Sequence, residues 1–299
     1  MEILITGGSG LIGKRLTGLL QQQGHQVSWL VRKTGAASVP TYRWSTSDHY
    51  VDPTALQNVD VLIHLAGENV GEGRWTTSRK KKILESRTST TKLLVQALAS
   101  HPNRIKTVIC ASAIGYYGDG GPEQKFDETS PCGSGFLVHV TEQWEAVAKD
   151  FQQLNIRLVV LRIGVVLSKD GGAVQKLVQP IKWFAGAPIG SGHQILSWIH
   201  IDDLCRLFIK ASTDEAMDGV YNAVAPNPVD NAAMTRHMAK ILNRPLLLPP
   251  VPAFALRFAL GEMSEMVLGG SWVSSAKVEH AGFQFLYPEV TAALQDVLR

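Results

Sequence analysis

The opening thirty-three residues constrain this chain more than any other stretch. The short apolar run Ile3-Leu-Ile5 ends in Thr6-Gly-Gly-Ser-Gly-Leu-Ile-Gly13. Leu11, Ile12, Leu16, Leu19 and Leu20 then recur at helical spacing as far as Gly24, and a second apolar run from Val27 ends in Arg32-Lys33. A strand that turns on glycine into a helix and returns as a strand is a unit built to hold a dinucleotide. Gly7 lets the chain leave the first strand sharply, because it has no Cβ. Gly10 lets the backbone approach a pyrophosphate, and Gly13 lets the helix pack close to the strand. The helix N-terminus then offers free N–H groups and partial positive charge to phosphates.

The same stretch predicts which dinucleotide. NAD binders carry an acid roughly twenty residues past the glycines, on the adenosine ribose. No Asp or Glu occurs here between Glu2 and Asp48, and Arg32 and Lys33 stand at the end of the second strand. A guanidinium binds a 2′-phosphate that a carboxylate would repel. The expected cofactor is therefore NADP(H).

Other features narrow the class. Net charge is only +3 and the cations form no long tract, so nucleic acid is not an expected partner. Arg79-Lys-Lys-Lys82 reads as a solvated helix face. The three cysteines, Cys110, Cys132 and Cys205, are widely spaced and form no C-x-x-C, which argues against a disulfide framework and fits a reducing, cytoplasmic compartment. No leader-like segment precedes the first strand, and no run of about eighteen apolar residues predicts a membrane span. No metal-binding spacing is present.

Residues 2–163 alternate strand and helix, the pattern of a parallel sheet with helices on both faces. Asp60–Gly67, Lys106–Ala111 and Ile156–Leu161 read as strands. Thr77 to Ser100 and Phe136 to Leu154 read as helices. The expected fold class is α/β: a Rossmann-type doubly wound parallel sheet over residues 1–165, with a returning strand near 219–223. A smaller C-terminal lobe over 166–299 would close on the site. Within it, a helix opens at Asp202, and a final helix carries Pro288 in its first turn. Trp75, Trp144, Trp183 and Trp198 read as core and cleft wall.

With these residues in view, the chain resembles the extended short-chain dehydrogenase/reductases, and more closely the atypical branch labelled "epimerase family protein", which includes short-chain dehydrogenase family 39U. Thr6–Gly13, His64-Leu-Ala-Gly-Glu68, Gly115-Tyr-Tyr-Gly118, Trp144-Glu145, Arg162–Leu167, Gly190-Ser-Gly-His193 and Trp198–Asp203 carry the likeness. Gly261-Glu262, Gly269-Gly270 and Ala281-Gly-Phe283 extend it to the C-terminus. The resemblance implies cofactor contacts from Gly7, Gly10, Leu11, Ile12, Gly13, Arg32, Lys33, Leu65, Ala66, Gly67, Arg87 and Val165. It also implies an acid–base pair, Tyr-x-x-x-Lys, on one helix face.

That pair is missing. The residues four positions after the six tyrosines are Thr46, Thr54, Gly120, Gly121, Ala225 and Thr291, and the places on the helix from Phe136 hold roughly Leu137 and Thr141. Ser112 and Tyr117, in the loop after Ala111, are the expected substitutes, with Tyr116 and His139 as further candidates. His200 before Asp202-Asp203 reads as a helix-start network. Two functions stay open. One is an NADP(H)-dependent oxidoreductase or epimerase acting on a small polar or nucleotide-linked substrate, with a homodimer as one assembly it could adopt. The other is an NADP(H)-binding sensor or scaffold with little turnover.

Overall fold

Apolar runs buried at nearly every position build the sheet. The computed structural model describes residues 1–299, with the side chain of Pro122 outside the description. Its strands are β1 (Glu2–Thr6), β2 (Gln26–Val31), β3 (Thr41–Ser45), β4 (Tyr50–Val51), β5 (Val61–His64), β6 (Thr107–Ala113), β7 (Gly121–Phe126), β8 (Arg157–Ile163), β9 (Val165–Leu167), β10 (Ile195–Leu196), β11 (Trp198–His200), β12 (Gly219–Ala223), β13 (Val229–Asp230) and β14 (Ser271–Val273). Eight of them form one sheet in the order β12-β8-β6-β5-β1-β2-β3-β4. Each neighbouring pair is parallel except β3 with β4. The chain winds outward in one direction from β1 through β2 and in the other from β5 through β6. The cleft beyond the carboxyl ends of β1 and β5 is thus the switch point where ligands bind such sheets.

Helices cover both faces. They are α1 (Leu11–Gln22), α2 (Thr77–Ser100), α3 (Phe136–Ala148), α4 (Ala173–Lys182), α5 (Ile201–Thr213), α6 (Asn231–Ile241), α7 (Ala253–Leu260), α8 (Glu265–Leu268), α9 (Ala276–His280) and α10 (Val290–Leu298). Ile3, Ile5, Ile63, Val159 and Leu161 face α1 and α5. Leu4, Leu62, Val108 and Val160 face α2 and α3. Successive strand residues point to opposite faces, so one apolar run feeds both cores. A third core joins α4, α6 and α10 through Val174, Val178, Trp198, Met234 and Leu294.

Several boundaries differ from the sequence reading. α3 ends at Ala148 and continues as a tighter turn over Lys149–Leu154. α5 starts at Ile201, because the His200 side chain accepts the Asp202 N–H at 3.2 Å and caps the helix. Pro288 stays outside α10, whose cap is Glu289. The span 166–299 is not a single lobe. α5 packs beneath the sheet, β12 extends it, and Val278 and Phe283 enter the same core as Ile3 and Ile5. Trp75, Trp144 and Trp198 are buried, but Trp183 is 78 % exposed and walls nothing.

The C-terminal segment is fastened rather than draped. β14 pairs with β7, and buried Ser197 donates its hydroxyl to the Ser271 carbonyl (2.7 Å) while accepting the Val273 N–H (3.0 Å). Gly270 passes so close to β10 that a Cβ would lie 2.4 Å from the Ile195 carbonyl oxygen.

Candidate functional site

The glycine turn forms the floor of the cleft. Gly7 has φ +71°, and a Cβ there would stand 2.9 Å from the Leu65 backbone. A Cβ on Gly13 would fall 2.4 Å from the Gly7 carbonyl oxygen, so α1 crosses the turn at van der Waals contact. Gly10 caps α1 without a side chain, and the first turn holds no acid. The leading N–H groups of α1 therefore carry no side-chain cap, the arrangement that receives an anion. Leu11 and Ile12 are half-buried against the sheet core, and Leu11 also meets the turn at Gly171 and Gly172. Gly8 has its own requirement, unforeseen in the sequence: the Trp29 indole lies 2.4 Å from where its Cβ would be. Arg32 and Lys33 are exposed at the end of β2 and, among the described residues, pair with no carboxylate.

A buried hydrogen-bonded chain sets the opposite wall. Thr6 Oγ1 accepts the N–H groups of Leu65 and Ala66, both at 3.2 Å. With both lone pairs engaged, its own hydrogen goes to His64 Nδ1 at 2.6 Å. His64 Nε2 then donates to Thr91 Oγ1 at 3.0 Å, and Thr91 donates to the Arg87 carbonyl at 2.7 Å. His64 is fully buried, and desolvation, helped by the Arg87 charge, pushes its pKa down to about 3. The imidazole is thus neutral, and it ties the cleft-lining backbone of Leu65 and Ala66 to α2. In the sequence it is one polar residue inside an apolar strand, a signal easily passed over.

Arg87 is half-buried on α2 beside Gly67. Its Nη1 donates to the carbonyls of Glu68 (3.1 Å) and Ile83 (3.0 Å), and it lies 5.2 Å from the Trp144 ring centroid. Burial lowers its pKa to about 10, with Glu68 pulling the other way. Gly67 rests on the guanidinium: a Cβ there would be 3.1 Å from Cζ. The Trp144 indole N–H beside it is buried with no acceptor among the described residues. Arg79 and Lys80 are not the solvated face read from the sequence. Arg79 donates to Glu68 (2.7 Å) and to the Asn69 carbonyl, and Lys80 pairs with Glu262.

The two hydroxyls expected at the chemistry are both engaged in a buried network. Ser112 Oγ donates to Glu145 Oε1 at 2.6 Å. Arg162 grips the same carboxylate through Nε (2.9 Å) and Nη2 (2.7 Å), with both side chains buried. Arg162 Nη1 also donates to the Tyr117 hydroxyl at 2.9 Å, which donates in turn to Asn222 Oδ1 at 2.7 Å. Tyr117 is 1 % exposed and stacks on Phe126. Burial pushes its phenol above the ordinary value, against the pull of Arg162. Ser112 and Tyr117 thus tie the ends of β6, β8 and β12 together through this buried network. Spacing gave no sign of this network, because its members come from five separate segments.

Tyr116 is placed differently. It is half-buried, its ring lies 3.4 Å from the Arg162 Cζ, and its hydroxyl makes no hydrogen bond among the described residues. Leu137 is half-buried, and Thr141 donates within its own helix to Leu137 and Val138. His139 is exposed. Val165 is half-buried at the start of β9, where Gly164 passes 2.4 Å from the Ser197 oxygen, measured at its would-be Cβ. His200 bridges α5 to α10 through Asp296 at 3.2 Å, as a helix-start network.

Residues 3–223 match the model of the NAD dependent epimerase/dehydratase family, and residues 251–297 match a domain of unknown function, DUF1731. The chain is 35 % identical over its whole length to epimerase family protein YfhF of Bacillus subtilis, covering 98 % of that protein. It is also 35 % identical to mouse epimerase family protein SDR39U1, with both chains fully covered. The crystal structure of human SDR39U1 (isoform 2) with NADPH superposes with a TM-score of 0.88 at 33 % identity, over 99 % of each chain.

Proposed function

Since this chain belongs to the NAD dependent epimerase/dehydratase family, in its SDR39U1/YfhF branch, we propose that it binds NADP(H) and carries out hydride-transfer chemistry on a small polar or nucleotide-linked substrate. One observation carries the cofactor choice: Arg32 is exposed at the end of β2 and, among the described residues, unpaired, with no acid between Glu2 and Asp48. The NADPH in the human relative supports the same choice.

The residues present fit such a group. The uncapped α1 N-terminus and the Gly7–Gly13 turn would hold the pyrophosphate, Arg32 and Lys33 the 2′-phosphate, and Arg87 a further phosphate or ribose oxygen. Bound NADP(H) supplies a hydride donor or acceptor. The chain's own task is then to move a proton at the substrate oxygen. With Ser112 and Tyr117 engaged in the buried network, the Tyr116 phenol is the remaining candidate in that loop, its ring held by Arg162.

The test is NADPH consumption followed by absorbance with a panel of carbonyl substrates. Tyr116→Phe should then cut turnover at least about tenfold with NADPH affinity unchanged, the scale of a lost acid–base group. Full turnover in Tyr116→Phe rejects this donor. The second reading, an NADP(H)-binding sensor without turnover, is favoured by Leu137 and Thr141 in the places of the acid–base pair. It holds if NADPH binds tightly and no substrate in the panel is consumed.

A further inference from the structure

The face built by residues 181–190 and 244–258 holds none of the residues expected to contact the cofactor. α7 reads Ala-Phe-Ala-Leu-Arg-Phe-Ala-Leu and buries none of its residues. Phe254 and Phe258, one turn apart on one face, are 74 % and 85 % exposed, and Trp183 and Leu247 are 78 % and 70 % exposed. Phe184 and Leu248 are about half exposed beside them. The two stretches adjoin: the Val251 N–H donates to the Pro188 carbonyl at 2.8 Å, the Gly190 N–H donates to the Val251 carbonyl at 2.9 Å, and the Arg244 guanidinium lies 4.8 Å over the Phe184 ring. Apolar side chains clustered in water mark an interaction surface.

Charge decides the occupant. From Gly171 to Ile201 and from Asn231 to Gly261 the chain has no Asp or Glu. Lys182, Arg244 and Arg257 stand exposed among the aromatics, and Glu262, just beyond, is turned to Lys80. A second copy related by a two-fold axis would set these cations against themselves with no carboxylate to pair them. The occupant must bring negative charge. It must also yield around side chains that stand out from the surface rather than line a groove.

We propose that this face docks on an anionic lipid membrane. Trp183, Leu247, Phe254 and Phe258 would enter the boundary between headgroups and acyl chains, while Lys182, Arg244 and Arg257 meet the headgroup phosphates. Such docking requires no spanning segment, and no helix among the described residues is long and apolar enough to cross a bilayer.

Co-sedimentation of the full chain with vesicles tests the proposal, using phosphatidylcholine alone and phosphatidylcholine with phosphatidylserine. Binding is expected to the phosphatidylserine vesicles and to weaken as salt rises. The double variant Phe254→Ser/Phe258→Ser should abolish it. Arg244→Ala/Arg257→Ala should lower the partition coefficient about fivefold per cation. These side chains are exposed, so an unchanged Tm verifies folding. Absence of binding to phosphatidylserine vesicles, or binding indifferent to the phenylalanine variant, overturns the proposal. So does a failure to bind vesicles combined with a dimer, seen by analytical ultracentrifugation, that Phe254→Ser/Phe258→Ser dissociates, which would assign the face to a second copy. Capture of an acidic protein without vesicle binding overturns it as well.

Discussion

On a single guanidinium, Arg32, rests the proposed choice between two cofactors that differ by one phosphate. Arg32→Ala should weaken NADPH binding roughly tenfold to a hundredfold, the loss of about 1.5–3 kcal/mol from a charged hydrogen bond, and leave NADH binding unchanged. Calorimetry of both cofactors against both proteins measures this, and equal losses would reject the assignment. His64 carries a different single-residue effect. It is buried and neutral, with its pKa depressed to about 3, whereas the unfolded chain protonates it near its ordinary value of about 6.5. The unfolded state therefore takes up the proton first as the pH falls. The stability His64 supplies is complete above about pH 6.5 and drains below it, by up to about 1.4 kcal/mol per pH unit until the folded pKa is reached. Urea unfolding between pH 7 and about pH 4 should show a shallower pH slope in His64→Gln than in the parent. Matching slopes would remove His64 as the source.

Single elements are held at their ends by charge buried across several strands. Glu145 on α3 faces Arg162 on β8, Ser112 on β6 and, through Arg162 and Tyr117, Asn222 on β12. Asn222 continues the network: its N–H donates to Glu128 (2.7 Å) and its side chain donates to the Ser274 carbonyl (3.2 Å). Removing one partner strands a charge in low dielectric. Glu145→Ala should cost about 3–5 kcal/mol by leaving Arg162 buried and uncompensated. Chemical denaturation reads the loss, and a change below about 1 kcal/mol would show that water replaces the carboxylate. Glu145→Gln, which keeps an acceptor for Ser112, should recover part of it.

At the scale of the molecule, the C-terminal segment is joined to the sheet unit through β14 and Ser197. Ser197→Ala removes a donor and an acceptor at once, leaving the Ser271 carbonyl and the Val273 N–H without that partner, and should cost about 1–3 kcal/mol. Limited proteolysis should cut earlier between residues 245 and 275 in this variant, with the sheet core unchanged. An unaltered digestion pattern would mean that the β7–β14 pairing suffices alone. The sequence by itself determined the parallel sheet, the glycine turn and the basic end of β2, because these are written in local spacing: strand period, helix period and glycines three apart. It also determined that the usual tyrosine and lysine are missing. Only the tertiary structure decided what Ser112 and Tyr117 do, why His64 is in β5, and that α5 packs beneath the sheet. Each of these depends on contacts between residues tens of positions apart, from Thr6 and His64 to Tyr117 and Asn222. Burial and partner, which no local pattern encodes, set the role of a polar side chain.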